Sequence, residues 1–154
     1  TSSQKTMNAP STYAEWSDCF QLFASGTDDA ETFSRMRQGK LEMTAGVAER
    51  FASRIDEALQ TRLKRMKDRF SRSMQVSADV NSLSNALLLA RKEFRLLLDF
   101  AGLPVIPASQ SEILKNALRK QADAMQSSLE SSCRSDRSGV LMHYIRNNKI
   151  NMLD

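Results

Sequence analysis

The sequence predicts an all-α protein, a bundle of three longer helices plus one or two short ones, mostly antiparallel. Three observations predict it. Gly and Pro are scarce, 5 and 3 in 154 residues, whereas a many-turned β fold needs Gly/Pro-rich connections. The good helix formers Leu, Ala, Met, Arg, Lys, Glu and Gln are plentiful. Apolar residues recur at steps of three and four along most of the chain. The length suits one domain, and a chain of this size can bury enough surface for a core without disulfide or metal staples.

The elements follow in order. Residues 1–10 read as a polar, flexible arm ending at Pro10, and 11–147 as the helical domain. Thr12 stands three residues before Glu15, the spacing of a capping box. Tyr13, Trp16, Phe20 and Phe23 then line one face of a helix over about 12–24, with Gly26 as its stop. Asp28 and Glu31 repeat the cap spacing, and Asp28 and Asp29 put acid in a first turn, where the helix dipole favours it.

From Phe33 and Met36 an apolar stripe runs through Met43, Val47, Phe51, Ile55, Leu59, Leu63, Met66, Phe70 and Met74. Gly39 and Gly46 weaken it by about 1 kcal/mol each against Ala without forcing a break. Residues 28–75 therefore read either as two helices or as one that extends beyond the bundle. As one helix they would span about 70 Å at 1.5 Å per residue.

Ser77 or Asp79 can cap the next helix. In that helix Val80, Leu83, Leu87, Ala90, Phe94, Leu97 and Ala101 keep a 3,4 rhythm. Leu88, Leu89, Leu96, Leu98 and Phe100 widen its apolar face, which predicts a central, enclosed helix. Gly102 and Pro104 end it. Ser109 and Glu112 form a further capping box. Leu114, Leu118, Ala122, Met125 and Leu129 carry the last long helix to about Cys133. A short helix over 138–147, with Leu141, Tyr144 and Ile145 facing in, and a loose tail over 148–154 complete the reading.

The segment "TRLKRMKDRFSRSM", 61–74, carries six cations and one acid. With Leu63 at zero and 100° per residue, Ile55, Leu59, Met66, Phe70 and Met74 fall between about −80° and +20°. Arg62 and Arg69 fall near −100° and −120°, Arg65 and Arg72 near 180°, Lys64 near +100° and Lys67 near +40°. The cations thus surround the polar side and do not gather on one line. No Asn, Gln or outward aromatic accompanies them, so base readout is not expected. A contact with phosphates or with an acidic protein surface is. Arg62, Lys64, Arg65, Lys67, Arg69 and Arg72 are the candidate residues for a polyanion or acidic partner.

Enzyme chemistry is not expected. The lone His143 and the two cysteines, Cys19 and Cys133, show no metal-ligand spacing. No Gly-rich phosphate loop or nucleophile motif occurs. The adjacent carboxylates of Asp56 and Glu57 diverge by about 100° on a helix and make no catalytic pair. No metal, cofactor or small-molecule substrate is predicted.

The net charge of +4 permits an anionic partner without requiring one. Two distant cysteines suggest reduced thiols and a cytoplasmic setting. The start lacks an apolar signal segment, and charges interrupt the most apolar stretch, so no membrane span is expected. The leading functional expectation is a non-enzymatic interaction protein (adaptor, scaffold or assembly subunit) working through helix–helix contacts with a protein partner or as a homo-oligomer. It rests on the long stripe of 28–75. Phe33, Met36, Met43 and Val47 are the candidate partner interface, with Met142 and Met152 as weaker additions. The alternative is a sequence-independent nucleic-acid coat or nucleoprotein subunit. An anionic-membrane module ranks third.

Overall fold

The computed structural model describes residues 8–26, 30–76, 80–135, 143 and 152; the side chains of 75–81, 83 and 132–135 lie outside that description. The described residues form five helices and no strand: α1 Tyr13–Ser25, α2 Ala30–Gln38, α3 Ala45–Val76, α4 Val80–Ala101 and α5 Ala108–Ser135. The fold is the expected all-α bundle, with three longer helices and two shorter ones. Packing is organised in two compact units, Thr1–Lys64 with Ala101–Glu112, and Arg65–Phe100 with Ile113–Asp154. Helices α3 and α5 contribute residues to both, as does α4 through its last residue, Ala101.

The first unit is assembled around Trp16, which is fully buried. Helix α1 starts where the sequence predicts. Thr12 accepts a hydrogen bond from the Glu15 amide at 3.2 Å, and the Glu15 carboxylate receives the Ser11 amide at 3.3 Å. That satisfies amides the first turn leaves without a helical partner. The helix ends on Gly26, whose φ of 77° is the left-handed conformation that costs glycine nothing. The buried face of α1 meets α3 through Trp16, Phe20 and Phe51. Their ring centroids lie 5.0–5.8 Å apart, in tilted and edge-on arrangements that suit aromatic quadrupoles. Phe23 meets Phe33 of α2 in the same way at 5.9 Å.

The stripe of 28–75 breaks into two helices, which excludes the single long one. The cause is tertiary. After α2 the Lys40 amide, which would have continued the helix, bonds instead to the Pro10 carbonyl at 3.1 Å. The Lys40 carbonyl in turn accepts the Trp16 indole N–H at 3.2 Å. Gly39 lies between them, and a Cβ there would meet the Trp16 ring at 2.4 Å and the Pro10 carbonyl oxygen at 3.0 Å. Thr44 then starts α3, accepting the Val47 amide on Oγ1 at 3.4 Å and the Ala48 amide on its carbonyl at 2.8 Å. Gly46 sits inside α3 with open space around it. Pro10 is buried. Gln110 of α5 closes this unit by donating to the Ala52 carbonyl at 3.1 Å.

The second unit packs the C-terminal part of α3 with α4 and α5. Met66 and Phe70 line a small cleft with Ala86 and Ala90, and Phe70 also lines a groove with Met125 and Leu129. The predicted α4 rhythm is buried at Leu87, Ala90, Phe94, Leu97 and Ala101. The enclosed helix expected from its apolar girth is not observed. Leu88 and Leu89 are 47% and 56% exposed, because the described neighbours cover only one face of α4.

Two cap assignments also change. Gly26 is the only positive-φ glycine among the described residues, so Gly102 ends α4 without a left-handed turn. The Ile106 amide closes instead on the Leu103 carbonyl at 3.0 Å. Helix α5 starts at Ala108, one residue before the expected Ser109 cap, and the Ser111 amide bonds to the Pro107 carbonyl at 2.9 Å. The caps at Asp28, Ser77 and Asp79 lie outside the described residues. So does the 138–147 helix apart from His143, which is helical and exposed. Within the tail, Met152 is buried.

The two glycines make a paired prediction. Gly39→Ala forces a methyl against a rigid, hydrogen-bonded ring and should cost about 1–3 kcal/mol. Gly46→Ala should be neutral or stabilise by up to about 1 kcal/mol. Urea unfolding of both variants, followed by helical circular dichroism, checks the contrast.

Candidate functional site

Helix α3 buries Phe51, Ile55, Leu59, Leu63, Met66 and Phe70 of the stripe read from the helical period, together with Ala58. Its rotation sorts the six candidate cations into different environments. Arg62 is 6% exposed and leaves the docking set. Its Nη1 donates to the Phe23 carbonyl at 2.9 Å, and the guanidinium lies over the Phe23 ring, 4.8 Å from the centroid. Phe23 belongs to the last turn of α1, where the dipole is negative, and its carbonyl also accepts the Gly26 amide at 3.1 Å. That turn contains no basic residue of its own. Arg62 supplies the missing cation from α3, and its guanidinium gains a cation–π contact with the aromatic ring. It sits only about 20° beyond the edge of the apolar stripe, which was the signal for its burial.

Lys67 is half-buried and donates to Gln121 Oε1 of α5 at 3.3 Å. Four cations remain exposed: Lys64, Arg65, Arg69 and Arg72. Within the second unit Arg65, Arg69 and Arg72 follow one another at i, i+4 and i+7. That spacing places them within about 60° of one another around the helix axis. None of the three has a carboxylate partner among the described residues. The cations expected to surround the polar side are thus reduced, in this unit, to a line. Its border is also defined. Arg69 shares a small cleft with Leu89, Met66, Phe70 and Glu93. An exposed cation and an exposed leucine therefore stand side by side where α3 meets α4.

The expected partner-interface residues fare differently. Phe33 and Met36 are 3% and 0% exposed and belong to the core of the first unit, so they present no surface. Met43 is exposed and Val47 half-exposed, and Arg37 covers the Phe33 ring at 5.5 Å. Met152 is buried, and Met142 lies outside the described residues. The exposure of Leu88 and Leu89 departs from the expectation because the helical period assigns them to a widened core.

Cys19 is buried beside Phe20 and Phe23. Desolvation pushes its thiol above the ordinary value. The Arg35 guanidinium opposes that shift, and the Asp18 and Glu15 carboxylates add to it. The group is a neutral packing thiol, opposite in character to an activated nucleophile. Among the described residues no cluster of three metal-ligating side chains occurs, and no helix is long and apolar enough to cross a membrane. Comparison with protein-family models, curated proteins and solved structures finds no match.

The sorting of the cations predicts unequal costs on truncation. Arg62→Ala should destabilise the protein by about 2–3 kcal/mol, the worth of a buried charge-assisted hydrogen bond at a helix end. Arg65→Ala, Arg69→Ala and Arg72→Ala should each stay within about 0.5 kcal/mol of the parent. Denaturant midpoints of the four variants measure this directly.

Proposed function

We propose that the chain is a non-enzymatic helical interaction protein, an adaptor or assembly subunit, that docks an acidic amphipathic segment of a protein partner. The docking face is the α3–α4 side of the second unit. The observation that carries the reading is the shared cleft of Arg69 and the half-exposed Leu89. A row of arginines alone suits any polyanion. A leucine exposed beside it suits a partner that offers carboxylates and apolar side chains together. Covering Leu89 contributes at most about 1.5–3 kcal/mol. Each exposed ion pair adds about 0–1 kcal/mol. Such a contact is modest and salt-sensitive, in keeping with reversible assembly. The stripe over 28–75 does not itself support this role, because it is divided between two helices and largely buried.

The second reading, a sequence-independent phosphate contact, is favoured by the line itself. Arg65, Arg69 and Arg72 rise about 6 and 4.5 Å in succession, a span comparable to a few phosphates of one strand at about 3.4 Å each.

Fluorescence anisotropy over a salt series separates the two. The probes are a labelled Glu/Leu amphipathic helical peptide and a labelled single-stranded RNA. The peptide should bind, weaken with salt, and lose about tenfold in affinity with either Arg69→Glu or Leu89→Ser. RNA binding that survives Leu89→Ser but not Arg69→Glu, with no peptide binding, would transfer the face to phosphates. No binding of either probe at low salt would sink both readings.

A further inference from the structure

We propose that the α3–α5 groove of the second unit binds a small amphipathic carboxylate, with Lys67 holding the carboxylate over an apolar floor. The site is distinct from the arginine line, since Lys67 lies about 160° around α3 from Arg65. The groove is half-open and encloses 370 Å³, within the range of about 300–1,000 Å³ typical of small-ligand sites. Phe70, Met125 and Leu129 form its floor and are buried to 8% exposure or less. Met74 extends the floor toward solvent. Methionine suits such a floor because its unbranched thioether adapts to varied apolar shapes.

The polar groups decide the ligand's charge. Lys67 is the only charged residue among the described lining residues, and its described partner is a neutral amide, Gln121 Oε1 at 3.3 Å. Among the described residues this half-buried ammonium has no carboxylate partner, so it keeps unused donors. A carboxylate satisfies both needs with a charge-assisted bond. Gln121 can then turn its amide N–H toward the second carboxylate oxygen. A neutral ligand leaves the ammonium uncompensated, and a cation is repelled. A highly charged polyanion is disfavoured by the apolar floor. The class is therefore a monoanion with one apolar body, as in a medium-chain acyl or arylalkyl carboxylate.

Calorimetric titration at pH 7 with octanoate, 1-octanol and octylamine tests the charge selection. Octanoate should bind, octanol should bind about tenfold more weakly, and octylamine should give no heat of binding. Lys67→Met keeps an apolar stem and removes the ammonium; it should lower octanoate affinity about tenfold and leave octanol unchanged. Ala124→Phe, placed on an exposed rim residue so that the core is untouched, should abolish both. Methyl-labelled methionine spectra of the unaltered protein locate the ligand independently of any variant. The Met74 and Met125 methyls should shift with octanoate, and Met36, in the first unit, should not. Absence of octanoate binding, equal binding of octylamine, or shifts that spare Met74 and Met125 would overturn the proposal.

Discussion

The rotation of α3 about its own axis is the constraint on which the remaining structure depends. Once Phe51, Ile55, Leu59, Leu63, Met66 and Phe70 are buried, each other residue of that helix has a fixed bearing. Arg62 is carried to the end of α1, where it adds a charged donor to the Phe23 carbonyl and complements the negative end of the helix dipole. Lys67 is carried to Gln121. Arg65, Arg69 and Arg72 are left outward. A segment that looks uniformly basic in sequence thus holds three kinds of cation: one structural, one bound to a neighbouring amide, and one row facing solvent. The burial of Arg62 is tolerable because its hydrogen bond, the α1 dipole and the Phe23 ring all favour the charged form.

Local signals are legible in the sequence at several positions, although the expected Gly102 and Ser109 caps, equally local, are not formed. The Thr12–Glu15 box, the left-handed Gly26 and the α3 and α4 stripes depend on neighbours within a few residues. The break between α2 and α3 depends on Pro10 and Trp16, which lie 29 and 23 residues from Gly39. No periodicity contains that information; a glycine against a buried indole is a tertiary contact. Arg62 is buried although it is charged, because its bearing lies beside the stripe. The exposure of Leu88 and Leu89 was hidden for another reason. How many helices surround α4 is settled by packing, and an apolar residue is identical in sequence whether covered or bare.

The candidate faces follow from the same division. On the α3–α4 side, cations and an exposed leucine coincide, so electrostatic steering and apolar burial can act on one partner. On the α3–α5 side a single ammonium overlooks an apolar floor, and the geometry suits one small anion in place of a polymer. Neither face demands catalysis. The buried, protonated Cys19 contributes packing, and it ties α1 to the same core that Trp16 organises.

The division of the basic helix is open to a test that needs no partner. Arginine modification of the native protein by phenylglyoxal, mapped by peptide mass spectrometry over time, reports each guanidinium separately. Arg65, Arg69 and Arg72 should react at similar, rapid rates. Arg62 should stay protected until the protein is unfolded in denaturant, and then react as the others do. Native-state modification of Arg62 at the rate of Arg69 would contradict its place beneath Phe23, and with it the sorting of cations from which both faces are derived.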